Sequence, residues 1–63
     1  MTIDERMTNA ALSKIARIKA NITERAYNRI IAELIYRYPT GTINLQMIED
    51  VTWATISTYS NDW

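Results

Sequence analysis

The chain contains no cysteine and no histidine. Disulfide staples, thiolate metal sites and thiol chemistry are therefore excluded, and with histidine goes the side chain that titrates near neutral pH and most often binds metals. Glycine and proline occur once each, as Gly41 and Pro39, while Ile, Leu, Ala and Met dominate the apolar residues. That is the composition of an ordered, helix-rich chain. No uninterrupted apolar run exceeds three residues, so neither a signal peptide nor a membrane span is expected, and a cytoplasmic location follows. There is also no surplus of charge, since seven basic residues balance seven acidic ones. The charges are unevenly placed, however. Lys14 to Arg37 holds six basic and two acidic residues, whereas Tyr38 to Trp63 holds three acidic residues and no basic one, which makes the chain polar end to end.

Sixty-three residues allow a single domain. A chain this short buries only about 60% of its unfolded surface, so a monomeric core is marginal. With disulfides and the commonest metal ligands gone, self-association is the remaining common route to stability, and a homodimer is expected.

The densest apolar face lies between Ile22 and Pro39. Tyr27, Ile30, Ile31, Leu34 and Tyr38 recur at spacings of three and four, which stacks them on one side of a helix. Asn21 can cap this helix at its start, with Glu24 completing a capping box. Pro39 stops it by pushing Tyr38 out of the helical region.

Upstream, Thr2 and Glu5 have the spacing of another capping box, and Met7, Ala11, Ile15, Ile18 and Ile22 step by four, four, three and four. This narrow stripe resembles a coiled-coil seam and predicts a helix over about residues 3–20. Projected at about 100° per residue, its centre lies near about 30°, against about 180° for the stripe of the helix at 22–37. One straight helix cannot bury both faces in one place. Either the chain breaks around Ala20 to Thr23, as a cap at Asn21 favours, or it continues and presents its halves to different surfaces.

Downstream, Asn44 has the position of an N-cap for a last helix at 45–58, with Ile43 and Ile48 as a hydrophobic staple. Leu45, Ile48, Val51, Thr52, Ile56 and Tyr59 share its apolar face, Trp53 sits at the edge, and Met47 and Ala54 lie nearly opposite. The β-branched residues Val51, Thr52, Thr55, Ile56 and Thr58 also permit a strand paired with Thr42 to Leu45. Their apolar members do not alternate strictly, which favours the helix. The expected fold is all-α, a helical hairpin or small three-helix bundle, with the helices at 22–37 and 45–58 antiparallel across the Pro39 to Ile43 turn.

Nothing in this pattern assembles catalytic chemistry. The carboxylates are scattered or adjacent in sequence, so they diverge on a helix, and the hydroxyls have no histidine or buried lysine base beside them. No catalytic residue, metal site or cofactor is expected. For partners, the large apolar surfaces of Trp53, Ile56 and Trp63 form the candidate protein-binding set, since tryptophan is among the commonest hot-spot residues. Met7, Ile15, Ile18 and Ile22 form the candidate self-association seam. Arg25, Arg29 and Tyr36 fall opposite the central apolar stripe and could grip phosphate and stack a base. Against this, Glu33 stands four residues after Arg29 as an intrahelical partner, and zero net charge is far from the profile of a nucleic-acid domain. Membrane docking through Lys14, Arg17 and Lys19 beside the isoleucine stripe lacks the Trp, Phe and Leu anchors that such helices use.

Taken whole, a short chain free of Cys and His that opens MTIDERMTNAALSKIARIKA resembles the small helical proteins encoded in the early regions of lambdoid phages. That resemblance implies a non-enzymatic modulator of host or phage-development functions.

Overall fold

A computed structural model describes residues 2–58. Four helices follow one another, α1 (Ile3–Arg6), α2 (Asn9–Asn21), α3 (Glu24–Arg37) and α4 (Leu45–Thr58), and the described residues are otherwise turns and short connections. The expected all-α fold is present. Tyr59 and Trp63 lie outside the described residues.

The helix expected at 3–20 is divided at Met7 and Thr8. Thr2 caps α1 by accepting from the backbone N–H of Glu5, but Met7 then turns extended, with φ −83° and ψ 142°. Tertiary pairing holds it there. Met7 and Ile43 form a parallel bridge, in which the N–H of Ile43 donates to the carbonyl of Arg6 at 2.8 Å and that of Thr8 donates to the carbonyl of Ile43 at 3.0 Å. Thr8 then caps α2, its hydroxyl accepting from the N–H of Ala11 at 3.2 Å. The two backbone bonds to Ile43 replace what helix continuation would have supplied.

Between α2 and α3 the chain breaks, so the continuous helix is not formed. Its cap is Thr23, not Asn21. Thr23 is extended and accepts from the N–H of Ala26 at 3.1 Å, while Asn21 remains in α2 and donates its side-chain amide to the carbonyl of Arg17 at 2.7 Å. Ile22, with φ −132° and ψ 169°, carries the reversal. Both residues are good caps by type. The one that caps is the one standing after the extended residue.

At the end of α3 the N–H of Tyr38 donates to the carbonyl of Leu34 at 2.8 Å. Gly41 follows with φ +90°, a left-handed turn that only glycine adopts without strain. Arg6 straps this turn from outside, Nε donating to the carbonyl of Gly41 at 2.9 Å and Nη2 to the carbonyl of Tyr38. Asn44 caps α4 as expected, accepting from the N–H of Met47 at 3.0 Å. Ile43 and Ile48, the expected staple, are both fully buried.

The strand alternative for 51–58 is not formed. Thr52 and Thr58 instead turn their hydroxyls onto the carbonyls of Ile48 and Ala54, at 2.7 and 2.9 Å, so that these β-branched residues sit within a helix. Ile30, Leu34, Ile43, Ile48 and Val51 are the large side chains with no exposure, each worth about 1.5–3 kcal/mol of burial. Ala26 joins Ile30 and Leu34 on the inner line of α3, with Tyr27, Ile31 and Tyr38 packed along its edge.

Packed against both α2 and α3, α4 buries a line through Ile48, Val51 and Thr55. This line is turned from the expected face. Leu45 and Ile56 come partly to the surface, while Met47 and Ala54, expected opposite the core, are half-buried.

Candidate interaction surface

The inner side of α2 begins in the core and ends at the surface. Met7, Ala11 and Ile15 are buried within the chain's own core, whereas Ile18 and Ile22, one and two turns further on, are half-buried against its edge. Between them and α4 lies a shallow groove of about 270 Å³, lined by Ile18, Ile22, Thr52 and Ile56 and rimmed on the α2 side by Lys14, Arg17 and Asn21. Thus the expected self-association seam divides. Its first half is covered intramolecularly, and its second half meets Ile56 of the expected protein-binding set.

Lys14 also lines an adjoining hollow of about 290 Å³, shared with Glu49, Thr52 and Trp53 of α4. Trp53 is 71% exposed. The groove and hollow share Lys14 and Thr52 and so make one continuous face, apolar at Ile18, Ile22 and Ile56, with two cations on the α2 rim, a carboxylate on the α4 rim and an uncovered indole at its edge. Neither Lys14 nor Arg17 forms an ion pair among the described residues. Sequence patterning separated Trp53 and Ile56 from Ile18 and Ile22 because they lie on different helices. Packing of α4 beside α2 joins them, and only the 3.6-residue phase of Lys14 relative to Ile18 hinted at the rim. Trp63, the remaining member of the expected set, is outside the described residues.

The other basic residues are placed differently. Arg25 and Tyr36 are exposed on the outer side of α3, Tyr36 to 83%, and Arg29 is half-buried. Glu33 pairs with Arg37, its Oε1 accepting from Arg37 Nε at 2.7 Å. The pairing suits the end of α3, where a cation is also favoured by the helix dipole. Exposed pairs of this spacing contribute only about 0.3–0.5 kcal/mol.

At the α2–α3 corner, Lys19 Nζ stands 5.1 Å from the centre of the Tyr27 ring, beside a hollow of about 390 Å³ that Glu24 and Asn28 also line. Burial, and secondarily the Asp4 carboxylate, hold the Tyr27 phenol above its ordinary pKa, because both disfavour phenolate. Among the described residues no group of three or more metal-ligating side chains comes together, and no helix is long and apolar enough to cross a membrane.

The fold and this face define a small all-helical protein. The chain matches no family model, no curated protein and no solved structure.

Proposed function

We propose that this chain is a small, non-enzymatic, cytoplasmic regulatory protein that acts by binding another protein surface through the face between α2 and α4. One observation carries the reading, namely that Trp53 is left 71% exposed beside the groove of Ile18, Ile22 and Ile56. An indole buries about 150–250 Å² when covered, and tryptophans flanked by apolar pockets are the usual anchors of protein interfaces. The resemblance to early-region phage proteins supplies the setting, a modulator of host or phage-development functions. Affinity capture from cell lysate followed by mass spectrometry tests the reading. Proteins enriched on the wild-type chain should be lost on Trp53→Ala and on Ile56→Glu, and retention of the same proteins by both folded variants would remove the face from the interaction.

A second reading, a nucleic-acid-binding module, is favoured by the exposure of Tyr36 and Arg25 on the outer side of α3. It requires binding to generic DNA or RNA that weakens steeply between about 50 and 200 mM salt, as counterion release demands. Fluorescence anisotropy of the wild type and of Arg25→Ala measures this. The zero net charge of the chain ranks it second.

A further inference from the structure

We infer that the face between α2 and α4 is occupied by a second copy of this chain, related by a twofold axis running along the groove. The inference rests on the reading of this face as an interaction surface and adds the occupant it has in the absence of another protein, which must displace the second copy to bind.

The rims of the groove choose the occupant. On α2 stand Lys14 and Arg17, without an ion pair among the described residues. On α4 stands Glu49, which shares the hollow of Lys14 and Trp53 and is therefore level with Lys14 along the groove. An acidic helix laid on this face would meet Glu49, and a basic one would meet Lys14 and Arg17. A second copy presents both signs and can set each against its opposite.

Twofold symmetry leaves two simple arrangements. An axis across the groove lays α2 on α2, bringing the cationic rims together. An axis along the groove lays α2 of each chain on α4 of the other and keeps the level of every residue, so Lys14 of one chain faces Glu49 of the second. Electrostatics selects the latter. It also sets the groove-lining Ile18 and Ile22 of one chain against Thr52 and Ile56 of the other. The exposed Trp53 of each chain then comes beside the second copy's cationic rim, where an indole face and an ammonium or guanidinium attract.

Charge reversal tests both occupant and axis. Sedimentation velocity at about 100 μM should find the wild type dimeric. Lys14→Glu and Glu49→Lys, each checked for wild-type helicity by circular dichroism, should each self-associate at least about tenfold more weakly. Mixing the two variants should restore the dimer, because the heterodimer then sets Glu at position 14 against Lys at position 49 and leaves the other pair native. A monomeric wild type overturns the proposal, as does a dimer indifferent to both reversals. Loss in both variants without recovery on mixing overturns it too, since the two positions would not face one another. None of these failures touches the protein-binding reading, which is measured separately by capture on Trp53→Ala and Ile56→Glu.

Discussion

Leu34 and Arg25 belong to the same helix and face opposite environments, the first with no exposure and the second at the surface. Truncation of Leu34 to alanine leaves a cavity among Ile30, Ile48 and the other core residues, so Leu34→Ala should cost about 2–5 kcal/mol. Arg25→Ala should change stability by less than about 0.5 kcal/mol. Urea denaturation distinguishes them, and equal losses would refute the facing of α3. Tyr27 yields a prediction in pH. Its folded-state pKa is raised, so the folded chain holds a proton that the unfolded chain releases first. The associated stability is intact below about pH 10 and is lost as pH rises through the folded value. Tyr27→Phe should therefore flatten the alkaline fall in the urea midpoint, and an unchanged slope above about pH 10 would count against it. Residue identity alone made Leu34 legible as core, since leucine on a periodic stripe has few other roles. It did not distinguish Asn21 from Thr23 as a cap. Both have the chemistry, and the choice depends on where Ile22 turns.

Among the elements, α3 and α4 were readable because each carries its own punctuation: Pro39 after the first, Asn44 before the second, and the Ile43–Ile48 staple across that cap. The interruption between α1 and α2 was not, because the stripe from Met7 to Ile22 continues through it. What divides them is the pairing of Met7 with Ile43, some 36 residues away in sequence, together with the strap of Arg6 over the Tyr38 and Gly41 carbonyls. A hydrogen bond from a charged donor contributes about 1.5–3 kcal/mol, so Arg6→Ala should destabilise by roughly that amount. It should also speed amide exchange at Thr8 and Ile43, whose N–H groups pair the two segments. Arg6→Lys should recover only part, because one ammonium does not reproduce the guanidinium fork that reaches both carbonyls. Exchange at these two amides no faster than in the wild type would show that the bridge stands without the strap.

At the scale of the whole molecule, α4 is the centre, packed against α2 and α3 together. Its contact with two neighbours turns the buried line onto Ile48, Val51 and Thr55, and so releases Ile56 and Trp53 to the surface beside Ile18 and Ile22. A helix read alone shows where its apolar residues cluster, but which part of that cluster is covered depends on how many neighbours it meets. Local chemistry in the sequence determined that the described chain is all-helical, where α3 ends and α4 begins, and that Ile30, Leu34, Ile48 and Val51 form the core. Those outcomes follow from spacings of three and four and from caps within a few residues. Tertiary structure alone decided the break at Met7, the cap at Thr23, the burial of Thr55, and the meeting of two residue sets from α2 and α4 on one face. Each depends on contacts between segments distant in sequence, and periodicity within one segment carries no information about the orientation of another.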